Sequence, residues 1–154
     1  DSFMKALNKV TVHLSRAIAR DGEGATKLLT CRANGAESEE VARKVAKSVI
    51  SSSLVKTAMF GADANWGRLL CAIGYSGESI DISKVDVRLS SSKGSILVCK
   101  GGIGVEFPED TAKEILQEEE VEVLIDLNSG TAHAIAWGCD LTYEYVRING
   151  SYRT

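Results

Sequence analysis

The sequence predicts an α+β domain, layered in an α/β/β/α manner with mixed sheets and flanking helices. Three observations point there. Apolar side chains recur at three- and four-residue steps near the start of the chain. Two pairs of apolar runs later on are each separated by a short polar, glycine-bearing turn. Between those pairs, a proline followed by two acids marks a helix start. At 154 residues and 44% hydrophobic, the chain can form one core, so residues 1–154 are read as a single domain.

Each element has its own local cause. From Ser2 to Arg20, Phe3, Leu7, Val10, Leu14, Ala17 and Ile18 share one stripe, which predicts an amphipathic helix. Gly22 follows where a left-handed helix end would be cheap. Lys27 to Ala33 reads as a strand. Ser38 ahead of Glu39 and Glu40 is a helix-start signal for a second helix, with Val41, Val45 and Val49 as its apolar face, running to the serines at 51–53. Leu54 to Phe60 has the length and composition of a buried strand. Arg68 to Gly74 fits a short helix or another strand, with helix favoured. Val85 to Leu89 and Ser95 to Lys100 form a hairpin about Ser90-Ser91-Ser92-Lys93-Gly94, and Pro108 with Glu109 and Asp110 opens a helix through Gln117. Val121 to Leu127 and His133 to Gly138 are expected to pair across Asn128-Ser129-Gly130, before a last short helix from Leu141 to Ile148.

Composition narrows the functions. The net charge is -3 with both signs interspersed, so there is no basic stripe for nucleic acid. Cys31, Cys71, Cys99 and Cys139 are widely spaced, with no C-x-x-C pair and no nearby histidine, which argues against a zinc site or redox motif. They read as reduced thiols of a cytoplasmic protein, although an even count also permits two disulfides. No apolar run approaches the roughly 20 residues of a membrane span, so a soluble protein is expected. Asp1-Ser2-Phe3 leads straight into the first helix without an initiator methionine, which suggests a piece of something longer.

Three stretches carry side chains suited to binding. In Arg20-Asp21-Gly22-Glu23-Gly24-Ala25-Thr26-Lys27, Glu23 lies between two glycines, where a free backbone can turn a carboxylate toward an amine; a solvated turn acid fits equally. In Asp63-Ala64-Asn65-Trp66-Gly67-Arg68, the Asn65 amide, Arg68 and helix-start N–H groups could grip a carboxylate beneath Trp66. The structural alternative has Asn65 capping a helix, Trp66 filling the core and Arg68 pairing with an acid such as Asp63. Asn149-Gly150-Ser151-Tyr152-Arg153-Thr154 reads as a frayed tail on composition alone. His13 and His133 lack a nucleophile context and are read as structural. Asp21 and Asp140 fit either caps or groups that orient a partner.

These three stretches, with Lys56 to Arg68 and the run Ala136-Trp137-Gly138-Cys139-Asp140-Leu141-Thr142-Tyr143-Glu144-Tyr145-Val146, resemble in order the bifunctional ornithine acetyltransferase / glutamate N-acetyltransferase family of arginine biosynthesis. The resemblance runs nearly end to end and is to the later part of the family's β chain; a departure is Ala64, where members commonly carry proline. It implies a precursor that cuts itself and exposes a threonine nucleophile at the start of the β chain, while the α chain supplies the oxyanion hole. That threonine is not matched here, so no catalytic residue is assigned to this chain. Glu23, Asn149 and Thr154 match substrate-binding residues, and Asn65, Trp66 and Arg68 become pocket or oligomer contacts. The implied reaction carries acetyl from N-acetylornithine to glutamate through acetyl-threonine, with acetyl-CoA as an additional donor in some members and no metal or resident cofactor. The implied partners are the α chain and the remaining β-chain segment, in a hetero-oligomer. An amidohydrolase with an N-terminal nucleophile and a non-catalytic amino-acid-binding subunit are the competing readings.

Overall fold

A computed structural model describes residues 1–152. Its elements in chain order are α1 (Ser2–Arg20), β1 (Leu28–Ala36), α2 (Glu39–Ser51), α3 (Ser53–Phe60), α4 (Trp66–Gly74), a 3-10 turn (Ile82–Lys84), β2 (Asp86–Ser91), β3 (Gly94–Lys100), β4 (Ile103–Gly104), α5 (Glu109–Leu116), β5 (Glu120–Asp126), β6 (Ala132–Cys139) and α6 (Tyr143–Ser151). The strands form one six-stranded mixed sheet in the order β4-β3-β2-β5-β1-β6. Only β1 and β5 run parallel; the other neighbours are antiparallel. This is the expected α+β class. Among the described residues it has a single β layer, the second sheet of an α/β/β/α stack not being present.

The two faces of the sheet differ. Leu29, Cys31 and Ala33 of β1 are in register with Val121, Val123 and Ile125 of β5, and Val87 and Leu89 of β2 continue the rows; all are buried. Onto this face α2 packs over β1 and β6, and α5 over β2 and β3, joining Val45, Val49, Ile115 and Leu116 to one core. Burial pushes the Cys31 thiol up to about 12. On the opposite face Ile135, Arg32, Leu124, Arg88 and Leu97 line up across five strands, and none of them is buried.

α1 is amphipathic, as its spacing predicts, yet it buries no residue. Phe3 is 70% exposed and Ile18 75%, and Leu7, Val10 and Leu14 also face out. Each such side chain forgoes the roughly 1.5–3 kcal/mol that full burial supplies. What ties the helix to the sheet is polar: Arg16 and Arg20 reach Glu120 at 2.8 and 3.0 Å, and Arg20 reaches Glu119 at 2.6 Å.

Three expectations are corrected. Leu54 to Phe60 is helix rather than strand, because the Ser52 hydroxyl caps Val55 N–H and Val55, Ala58 and Met59 then fall on one buried face at helical spacing. The strands β5 and β6 do not pair with each other; β1 lies between them, parallel to one and antiparallel to the other. Gly22 is not the left-handed residue: α1 ends at Asp21, whose N–H returns to Ala17, and the positive φ of +66° falls at Gly24. Gly22 is instead a place of close approach, where a Cβ would lie 2.6 Å from Cys139 Sγ. The four cysteines are free, and no described helix is long and apolar enough to cross a membrane.

Candidate functional site

The loop after α1 and the helix α6 are far apart in sequence and meet in space. Asn149, on the last turn of α6, donates from Nδ2 to Glu23 Oε2 at 2.8 Å, and to the Tyr145 carbonyl one turn back at 3.0 Å. The amide is therefore held to its own helix while it grips the loop. This leaves Glu23 Oε1 and the Asn149 carbonyl oxygen to accept from a ligand, an arrangement suited to an ammonium group. Both residues are exposed. Cavities of about 670 and 650 Å³ open beside Glu118, Glu119 and Glu120 and beside Trp137 and Ile18, and neither is lined by Glu23 or Asn149.

Beneath that surface the support is buried. Asp140, 3% exposed, accepts from Thr26 N at 2.8 Å, Thr26 Oγ1 at 2.5 Å and Lys27 N at 2.9 Å. Two residues on, Thr142 is 5% exposed, caps α6 by accepting from Tyr145 N, and donates to the Gly24 carbonyl at 2.7 Å. Gly24 passes close to α6, where a Cβ would lie 2.8 Å from Tyr145 N, so its left-handed φ and its lack of a side chain are both required. Lys27 then turns inward and donates from Nζ to the carbonyls of Met59 and Leu116, both at 2.6 Å, near the C-terminal ends of α3 and α5. Burial lowers the Lys27 ammonium from its ordinary value, and Asp140 partly offsets this. On the surface of α6, Arg147 pairs with Glu144 and holds that carboxyl below its usual range.

The second nominated site is different. Asn65 caps α4 by accepting from Arg68 N at 3.2 Å, and its amide donates to Asp63 at 3.1 Å. The Arg68 guanidinium turns back to the Leu54 carbonyl and the Thr57 hydroxyl, at 3.1 and 3.2 Å, rather than to Asp63. Trp66 neither fills the core nor roofs a pocket for an anion: it is 37% exposed, its ring packs over Gly104, and the hollow beside it carries Asp63 and Glu109. Two carboxylates at that hollow oppose an acidic ligand. Arg68 is not among its lining residues.

Of the nominated residues, then, Glu23 and Asn149 come together, Asn65, Trp66 and Arg68 form a separate local structure, and Thr154 lies outside the described residues. His13 is exposed on α1 and His133 lies on β6. Thr142, within the span the sequence predicts as the last helix, is instead the N-cap of α6, and a threonine is a residue type suited to that position. Nothing in the pattern around Lys27 announces a buried cation.

The fold and site define the class: an α+β domain with one open sheet face and an acid–amide pair that joins the loop after α1 to α6. Residues 1–154 match the ArgJ family throughout, and the chain belongs to that family. It is 53% identical over its full length to the arginine biosynthesis bifunctional protein ArgJ of Caldanaerobacter subterraneus subsp. tengcongensis, of which it covers 38%. It is 48% identical over 152 residues to the glutamate N-acetyltransferase of Methanopyrus kandleri, covering 99% of this chain and 39% of that one. The crystal structure of the ArgJ protein of Bacillus halodurans superposes with a TM-score of 0.91 at 44% identity, over 98% of this chain and 70% of the solved one. The chain thus spans about two fifths of the length of these curated relatives.

Proposed function

We propose that this chain is the later portion of the β chain of a cytoplasmic acetyltransferase that carries acetyl from N-acetylornithine to glutamate. The carrying observation is the Glu23–Asn149 hydrogen bond, which joins two of the three residues implied by the family resemblance across 126 positions of sequence. In this reading a threonine hydroxyl on the remaining β segment attacks the acetyl carbonyl, ornithine departs with its amine, and the amine of glutamate then takes the acetyl group from the ester. The free oxygens of Glu23 and Asn149 receive the substrate's ammonium. Acetyl-CoA enters, where it is used, as a second donor rather than a resident cofactor.

The same reading gives the exposed surfaces an owner. The apolar stripe of α1 and the uncovered sheet face are covered by the remaining β segment and the α chain, which also wall the substrate pocket in a hetero-oligomer. The whole assembly, incubated with N-acetylornithine and glutamate, is expected to yield N-acetylglutamate; free acetate without N-acetylglutamate would mark an amidohydrolase instead. Glu23→Ala is expected to raise the KM for N-acetylornithine about tenfold or more, the size of one lost charge-assisted hydrogen bond, and to leave self-cleavage nearly intact. An unchanged KM removes Glu23 from the site.

A further inference from the structure

The two residues that meet a ligand in this reading are both exposed; Asn149 is tied to its own helix through the Tyr145 carbonyl, whereas Glu23 has no such local bond. A carboxylate on a glycine-flanked loop samples many rotamers, and ordering it during binding costs affinity. Something must set the loop against α6 beforehand. The only buried polar groups that span the two elements, among the described residues, are Asp140 and Thr142.

We propose that Asp140 and Thr142 are positioning residues that clamp the Glu23 loop onto α6, so that the Glu23 carboxylate and the Asn149 amide stand assembled before substrate arrives. Both residues belong to the short connection between β6 and α6, so one rigid link serves both sides of the site. Asp140 accepts from the backbone N–H groups of Thr26 and Lys27, three and four residues after Glu23, and fixes where the loop enters β1. Thr142 takes hold of the residue directly after Glu23: its hydroxyl donates to the Gly24 carbonyl at 2.7 Å while accepting from Tyr145 N. That one oxygen starts the helix carrying Asn149 and holds the loop carrying Glu23. Gly24 allows the approach, since a side chain there would meet Glu144 and Tyr145. The buried Lys27 ammonium anchors the far end of the loop to the α3 and α5 carbonyls, so a pull on Gly24 is not absorbed by movement of β1.

The proposal rests on the substrate-binding reading of Glu23 and Asn149, and its test separates the two. In the complete self-cleaved enzyme, Thr142→Val keeps the side-chain shape and deletes the hydroxyl, whereas Thr142→Ser keeps the hydroxyl. Thr142→Val is expected to raise the KM for N-acetylornithine about tenfold with kcat within about threefold, and Thr142→Ser to restore it. In a Glu23→Gln background, Thr142→Val should add little further, because it acts through Glu23. An unchanged KM, a loss confined to kcat, or full additivity with Glu23→Gln overturns the assignment. A crystal structure of the Thr142→Val enzyme decides without activity: the Asn149 Nδ2 to Glu23 Oε2 contact is expected to open, and its persistence near 2.8 Å refutes the clamp. If wild-type enzyme makes no N-acetylglutamate, the functional reading falls while this structural arm still tests the positioning. Should Thr142→Val fail to accumulate, Thr142→Asp serves in both arms, since it keeps an acceptor that caps α6 and has no donor for the Gly24 carbonyl.

Discussion

Two loops of this chain are dense in polar side chains flanked by glycine, and they end up doing different things. In Asp63 to Arg68 the polar bonds close within the neighbourhood: Asn65 with Asp63 and Arg68, Arg68 with Leu54 and Thr57, all within 14 residues. In Gly22 to Lys27 the bonds reach Asp140, Thr142 and Asn149, more than 110 residues away. A loop that satisfies itself locally ends or starts a helix and needs no further role. One whose side chains and N–H groups also bond to a distant element holds that element near.

The largest break in the comparison is expected at Asp140. Removing its carboxylate in Asp140→Ala leaves the N–H groups of Thr26 and Lys27 without their acceptor and the Lys27 ammonium without its counter-charge. A buried donor left without its acceptor costs about 1–3 kcal/mol, and two are stripped here. Urea denaturation should show the midpoint falling with the m-value unchanged. A loss below about 1 kcal/mol would mean that the distant bonds are as dispensable as surface ones.

The contrast between local and distant also explains what could be read from the residues alone. The helices α2, α4 and α5 and the hairpin of β2 and β3 follow from signals inside their own spans: the Ser38 and Asn65 caps, Pro108 with two acids, and a turn between apolar runs. Leu54 to Phe60 misleads because a short apolar run has no visible period, and the deciding Ser52 hydroxyl hides in a row of serines. The insertion of β1 between β5 and β6 is set by packing over ninety residues of separation, beyond any local pattern. The α1 stripe is readable as amphipathic, but periodicity does not say what covers it. For the site, family resemblance marks Glu23 and Asn149 and the sequence leaves Asp140 open between a cap and an orienting group, whereas the role of Thr142 follows only once the fold brings Gly24 and Thr142 together.

A smaller effect is expected from the self-contained loop. Asn65→Ala deletes the α4 cap and should cost about 1 kcal/mol, read as a lower Tm. Because Asn65, Trp66 and Arg68 sit apart from the Glu23–Asn149 pair, the KM for N-acetylornithine should stay within twofold, or about 0.4 kcal/mol. A KM rise comparable to that of Glu23→Ala would erase the distinction and return this loop to the substrate site.

The smallest effect sharpens the same contrast by strengthening the local loop. Ala64 is buried, and among the described residues its N–H donates to no acceptor, so the missing donor of a proline removes no bond here. Its neighbours Asn65 and Trp66 carry the turn through bonds to the Asp63 and Ala64 carbonyls, at 2.8 and 2.9 Å, which a proline retains. Ala64→Pro should therefore act chiefly by restricting the unfolded chain and raise stability by about 0.4–1 kcal/mol. Substrate kinetics should be unaltered, since the gain is confined to a loop that answers only to itself. A destabilisation would show that the backbone at 64 is held in a conformation closed to proline, and that the rigidity of this loop comes from packing around Ala64 rather than from the turn.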